Sequence, residues 1–189
     1  MKNVASCRDT TTGRFVAFLG TLEPRKNLPN LVRGFARAGL GDDVSLVLAG
    51  GSGWDDALDG AVAEAVGLGA DVVRPGFLPQ EALSGYLGGA DVVAYPSHGE
   101  GFGLPVLEAM ACEVPVLVAR ASCLPEIAGD AALYCEGTDV DDMARRLEEG
   151  LTDRDLRGEL VRKGRERARK FDWTECARGT LAAYRKALA

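Results

Sequence analysis

Residues 97–108 have the sequence SHGEGFGLPVLE, in which three glycines occupy five consecutive positions. The apolar run 91–95 before them predicts a buried strand, and the alanine-rich segment 104–112 predicts a helix. Phosphate groups bind at such strand-to-helix junctions of α/β proteins, because glycines let the backbone approach an anion and the first helical turn offers unpaired N–H groups. Pro105 suits that first turn, where its missing N–H costs nothing.

Two carboxylates flank this junction, Glu100 in the loop and Glu108 inside the helix. A carboxylate repels a neighbouring phosphate, so we expect both to accept hydrogen bonds from hydroxyl groups. Phosphate and hydroxyl groups on one ligand indicate a sugar nucleotide. A glycine-rich turn followed by a helix with one polar residue is the simpler interpretation of this segment taken alone.

Length and composition limit the classes of protein to consider. The chain has 189 residues, of which 47% are hydrophobic, and this predicts a single domain at 14–189. Residues 1–13 are polar and rich in threonine, which predicts a flexible leader. A net charge of −6 argues against nucleic-acid binding. Five cysteines without a CxxC pair indicate reduced thiols rather than disulfides or a zinc site. No apolar run is long enough for a spanning helix, and the polar composition of the first dozen residues leads us to expect no signal peptide.

Strands and helices alternate along the whole domain. Strands are expected at 15–19, 44–49, 72–74, 91–95, 114–119 and 131–135, and helices at 27–38, 55–66, 79–87, 104–112, 139–151, 153–170 and 173–188. This alternation predicts a Rossmann-like three-layer α/β/α domain with a parallel sheet of about six strands, and Trp173 is expected to pack the last helix. Ligands bind such sheets beyond the carboxyl ends of the strands, where Gly20 and Gly50 also lie.

Several segments, in the same order, resemble the C-terminal, donor-binding domain of the family 4 retaining GT-B glycosyltransferases (glycosyl transferases group 1). They are FLGTLEPRKNL at 18–28, LAGG at 48–51, GFL at 76–78, YPS at 95–97, the pair Glu100 and Glu108 with seven residues between them, and PEIAGDAA at 125–132. The resemblance covers residues 15–188. It implies the C-terminal half of a GT-B fold and the transfer of a sugar from a nucleoside-diphosphate sugar to an acceptor.

The resemblance also implies roles for individual residues. Arg25 and Lys26 would neutralise the donor diphosphate as the glycosidic bond breaks, and Glu100 would face the donor sugar without being assigned as a nucleophile. The implied donor-binding residues are Gly20, Gly50, Leu78, Gly101, Phe102, Gly103, Leu104 and Glu108, the last of these at the ribose hydroxyls. Neither a metal nor a cofactor is expected. Taken alone, Arg25 and Lys26 also fit solvent-facing residues of a turn, and Thr21 stands where many family members have Arg.

The expected partners follow from the same resemblance. They are a nucleotide-sugar donor and an acceptor sugar or glycolipid, the latter bound by an N-terminal domain for which this chain has no sequence. Helix 173–188 is amphipathic enough to dock on that domain, which belongs either to a longer enzyme or to a separate chain. We expect this chain alone to bind donor and transfer sugar poorly. The expected setting is polysaccharide or glycoconjugate assembly in the cytoplasm, with at most peripheral contact with the inner face of the plasma membrane.

Two other classes of protein were weighed against this one. A dinucleotide-dependent oxidoreductase is disfavoured because the first strand exit, 20–24, lacks the G-x-G-x-x-G fingerprint. A non-catalytic nucleotide-binding or interaction module that keeps the half-fold stays open. The joint presence of Lys26, Glu100 and Glu108 weighs against it.

Overall fold

Six strands form one parallel sheet in the computed structural model, which describes residues 13–41 and 43–188. The strands are β1 (Arg14–Leu19), β2 (Val44–Ala49), β3 (Asp71–Gly76), β4 (Val92–Tyr95), β5 (Val116–Ala119) and β6 (Leu133–Cys135), in the order β3-β2-β1-β4-β5-β6. The predicted Rossmann-like sheet is therefore confirmed. All of the predicted leader except Gly13 lies outside the described residues.

The helices follow the predicted positions with small shifts at their ends. They are α1 (Leu28–Ala38), α2 (Asp56–Gly67), α3 (Gln80–Gly89), α4 (Leu104–Ala111), α5 (Leu124–Ala128), α6 (Val140–Thr152), α7 (Arg154–Ala168) and α8 (Trp173–Ala187). The sequence prediction missed α5 and a 3-10 turn at Pro24–Lys26, because five and three residues are too short to show a helical period.

Helices cover both faces of the sheet. Helix α1 packs against α2 and α6, whereas α4 packs against α3, α5 and α7. The inner strands between them are buried, including all six residues of β2, whereas the edge strand β3 is partly exposed. The chain runs outward from β1 through β2 to β3 and then crosses to β4, on the other side of β1. Strand order therefore reverses between β1 and β4, and the carboxyl ends of these two strands flank that point.

Helix α8 differs from the others because none of its residues is buried. The expectation that Trp173 packs this helix is wrong, since Trp173 is 78% exposed. Leu181 and Tyr184 on the same helix are also exposed. Helix α8 does not fold back onto the described domain, so the apolar side of this amphipathic helix stays uncovered. Between residues 13 and 188, Asp42 left aside, no helix is long and apolar enough to cross a membrane.

Candidate functional site

Three strand exits are joined by backbone hydrogen bonds at one edge of the sheet. The N–H of Gly20, after β1, donates to the carbonyl of Ala49 at 3.0 Å. The N–H of Gly50, after β2, donates to the carbonyl of Gly76 at 2.8 Å. The exits of β1, β2 and β3 therefore form one continuous surface at the carboxyl ends of the strands.

Close approach of another backbone segment requires glycine at two positions after β2, Gly50 and Gly53. A Cβ on Gly50 would lie 1.8 Å from the Gly20 carbonyl oxygen, and Gly50 has a φ of +147°. A Cβ on Gly53 would lie 1.7 Å from the Leu22 carbonyl oxygen. The packing of the first loop against the exit of β2 accounts for both glycines, and the predicted contact of Gly50 with a donor stays a prediction.

The loop after β1 is attached to the loop after β4. The 3-10 turn Pro24–Lys26 ends at Asn27, which has left-handed backbone angles (φ 60°). The side-chain amide of Asn27 donates to the carbonyl of Pro96 at 3.1 Å. The backbone N–H of His98 donates to the carbonyl of Arg25 at 2.8 Å. These contacts bring the basic residues of the first loop to the glycine-rich segment.

A compact charge cluster lies at this meeting point. One carboxylate oxygen of Glu100 accepts from Lys26 Nζ at 2.7 Å, and the other accepts from Arg25 Nη1 at 2.7 Å. Lys26 Nζ also donates to the phenol oxygen of Tyr95 at 2.6 Å, and Arg25 pairs with Glu23 at 2.6 Å. Two cations from one loop therefore converge on a single carboxylate from the other.

Burial and hydrogen bonds act in opposite directions on the pKa of Glu100 in this cluster. Lys26 is 4% exposed, and the Glu100 side chain is 7% exposed. Burial alone would raise the pKa of Glu100, but the hydrogen bonds from Lys26 and Arg25 outweigh it and hold that pKa below its ordinary value. The fully buried Ser97 hydroxyl also lies near this carboxylate, but it lacks a hydrogen bond of ordinary geometry, so we ascribe the effect to the two cations. Burial raises the pKa of Tyr95, which stays neutral.

The glycine-rich segment continues directly into α4. Gly103, with a φ of +96°, occupies the N-cap position, and Pro105 lies in the first turn as predicted. The Phe102 ring is 44% exposed and meets the edge of Phe171, with ring centroids 6.0 Å apart. The first N–H groups of α4 lack intrahelical partners, so this end of the helix attracts an anion beside the two cations.

Comparison with known proteins identifies the family of this chain. Residues 6–167 match the family model of glycosyl transferases group 1. The chain belongs to this family. It is 34% identical over 173 residues to the O-antigen chain mannosyltransferase B of Escherichia coli, covering 90% of this chain and 45% of that protein.

Solved structures agree with this group 1 assignment. Sucrose-phosphate synthase from Thermosynechococcus elongatus superposes with a TM-score of 0.80 at 29% identity, over 96% of this chain and 48% of that one. HepE from Anabaena, solved in complex with UDP and glucose, superposes with a TM-score of 0.81 at 21% identity, over 93% of this chain and 51% of that one, and shows the fold. The chain spans less than half the length of the curated relative it matches.

The structure of this group 1 domain brings three residues with predicted catalytic roles together, Arg25, Lys26 and Glu100. The alternative that both cations face solvent is wrong for Lys26, which is buried. Sequence reasoning gave no role to Tyr95, although a polar residue at the end of a buried strand signals a site. It also gave none to Asn27, for which the sequence carries no comparable signal.

The other predicted donor-binding residues lie in the loops at the strand exits and at the start of α4. Gly101 and Leu104 lie in the glycine-rich segment and at the start of α4, and Glu108 is exposed on that helix. Leu78 is 8% exposed, whereas its neighbour Phe77 is 80% exposed. Nothing in the structure tests these contacts with a donor, and they stay predictions.

An open cleft of about 500 Å³ lies at the exits of β2 and β3 and extends to Leu22 of the first loop. It is lined by Gly50, Trp54, Asp59, Arg74 and Gly76, among others. The indole of Trp54 is 67% exposed at its rim. In the ranges 13–41 and 43–188, His, Cys, Asp and Glu side chains do not form a group of three suited to a metal ion.

Proposed function

We propose that this chain is the donor-binding domain of a retaining group 1 glycosyltransferase, which takes its sugar from a nucleoside-diphosphate sugar. One observation carries the proposal: Arg25 and Lys26 converge on Glu100 beside the N-terminus of α4. Two cations and a helix start at the point where strand order reverses suit a diphosphate. The complex of HepE with UDP and glucose supports this class of ligand.

The cations would act on the leaving group. When the bond between the anomeric carbon and the diphosphate oxygen breaks, negative charge grows on the diphosphate. Arg25 offers a planar fork of N–H donors, and Lys26 offers a compact charge in a buried setting, where electrostatic stabilisation is stronger than in water. These groups supply the charge that a metal ion supplies elsewhere, so we propose a metal-independent reaction.

Donor binding would rearrange the cluster. Glu100 binds both cations in the free chain, so a diphosphate must replace its carboxylate there. The released carboxylate can then accept hydrogen bonds from hydroxyls of the donor sugar. Glu108, exposed on α4, would accept from the ribose, and the cleft beside Gly76 would receive the base.

The acceptor would bind to a second domain. The Escherichia coli relative is more than twice as long as the matched region, and α8 carries no buried residue. We propose that the apolar side of α8 contacts that domain and that turnover needs both parts. The name of that relative supports polysaccharide assembly. We propose a cytoplasmic location, with at most peripheral membrane contact.

A nucleotide panel tests this function. We expect one of UDP, GDP, ADP and TDP to raise the melting temperature of the chain, and NAD to have no effect. Glu108→Ala should abolish most of the shift, because the ribose loses its acceptor, while the melting temperature without nucleotide stays unchanged. If none of the four diphosphates stabilises the chain, the proposal fails for this chain and a non-catalytic module becomes the better description.

A further inference from the structure

The loop that follows β5 contacts the backbone of the residue that binds both cations. The hydroxyl of Ser122 accepts a hydrogen bond from the Glu100 N–H at 3.2 Å and donates one to the Glu100 carbonyl at 3.0 Å. One side chain thus satisfies both backbone groups of Glu100. Lys26 and Arg25 bind the same residue through its side-chain carboxylate.

The next two residues extend this contact along the glycine-rich segment. The thiol of Cys123 lies 3.4 Å from the Glu100 carbonyl oxygen and 3.2 Å from the Phe102 carbonyl oxygen. The Leu124 side chain lies so close to Gly103 that a Cβ on this glycine would be 3.1 Å from it. Residues 122–124 therefore hold the segment at three successive points.

The backbone of Ser122 is in an unfavourable conformation in this contact. Its φ is +55°, a left-handed conformation that glycine adopts far more readily than serine. A glycine there would remove the strain, but it would also remove the hydroxyl that bonds Glu100. Strained residues cluster at functional sites, and this one bonds the residue that binds both cations, so we test it for a functional role.

We propose that Ser122 and Cys123 are positioning residues for the donor site. They hold residues 99–103 in the conformation that presents the N–H groups at the start of α4 to the diphosphate. This inference rests on the proposed function. Three glycines make the segment flexible, so without these bonds only a fraction of the molecules would have the binding conformation. The apparent affinity would then be reduced to that fraction of its intrinsic value.

Four variants test this role by isothermal titration with UDP, GDP, ADP and TDP. Ser122→Gly removes two hydrogen bonds to the Glu100 backbone and should weaken binding of the preferred diphosphate about tenfold. Cys123→Ala removes one thiol donor and should weaken it about fivefold. Cys123→Ser keeps a donor and should stay within about twofold of the unaltered chain. Glu113→Gly makes the same backbone change at another left-handed position, φ +61°, beyond the far end of α4, and should leave binding unchanged.

Melting temperatures separate positioning from folding. In Ser122→Gly the relief of backbone strain offsets the two lost hydrogen bonds and the greater freedom of the unfolded chain, so its melting temperature should stay close to that of the unaltered chain, yet it should bind more weakly. If Ser122→Gly and Cys123→Ala bind as tightly as the unaltered chain, the positioning role is wrong while the proposed function stands. If the unaltered chain binds none of the four nucleotides, both proposals are wrong. If Cys123→Ala fails to fold, the result for Ser122→Gly decides alone.

Discussion

Replacing Glu100 by Gln should tighten the binding of a nucleoside diphosphate. Glu100 accepts from Lys26 and Arg25 at 2.7 Å each in the free chain, so it competes with a phosphate for both cations. Glutamine has nearly the same shape and can still accept from one of the two cations through its amide oxygen, but it carries no charge. The substitution therefore removes the competitor and leaves the cations in place.

The size of the effect follows from Coulomb's law. A phosphate oxygen bound to both cations would lie about 5 Å from the carboxylate, and at an effective dielectric constant of about 20 the repulsion is about 3 kcal/mol. The Arg25 side chain is 48% exposed, so solvent and salt reduce this to about 1.5 kcal/mol. We expect roughly tenfold tighter binding.

The same substitution should weaken folding. Lys26, whose side chain is 6% exposed, loses its charged partner, and the free energy of unfolding should fall by about 2 kcal/mol. Calorimetric titration at low salt gives the affinity, and urea unfolding gives the stability. A tenfold loss of affinity in Glu100→Gln would refute the reasoning, because it would mean that the carboxylate assists diphosphate binding rather than competing with it.

Three further results are expected. Lys26→Met should weaken diphosphate binding by about 2 kcal/mol, roughly thirtyfold, in the same titration, because a buried cation is lost; an unchanged affinity would remove Lys26 from the site. The folded-state pKa of Glu100 lies below its ordinary value of 4.5, so its contribution to stability is present above 4.5 and is lost as pH falls through the lower value. Urea unfolding between about pH 5 and about pH 3 should show a steeper loss of stability for the unaltered chain than for Glu100→Gln, and parallel curves would contradict this assignment. Gly50→Ala should lower the free energy of unfolding by more than about 2 kcal/mol, because its Cβ would strike the carbonyl of Gly20, whereas Gly51→Ala, with no atom within 4 Å of its Cβ, should be nearly neutral in the same urea measurement.

The sequence predicts most of the sheet well because the inner strands are continuous apolar runs, and glycines mark the exits of β1 and β2. Runs such as 44–49 have no polar face, which is typical of a parallel sheet covered on both sides. The short helix α5 leaves no comparable periodicity. Helix α8 carries the pattern of a packed helix, but the described domain offers no surface that covers Trp173.

The site is predictable only where its residues are close in sequence. Glu100 and Glu108 stand out because a glycine-rich loop and a helix start surround them. The burial of Lys26 could not be predicted, because lysine is seldom buried and its partners Tyr95 and Glu100 lie some 70 residues away. The contact between Ser122 and the Glu100 backbone depends on the neighbouring positions of β4 and β5, which only the three-dimensional fold supplies.

A crystal structure of the chain with its preferred nucleoside diphosphate tests the donor-site proposal most directly. We predict that the diphosphate lies against Arg25, Lys26 and the first N–H groups of α4, with the Glu100 carboxylate displaced from both cations. A nucleotide bound elsewhere on the chain, with the pairs from Glu100 to Arg25 and Lys26 intact, would contradict it.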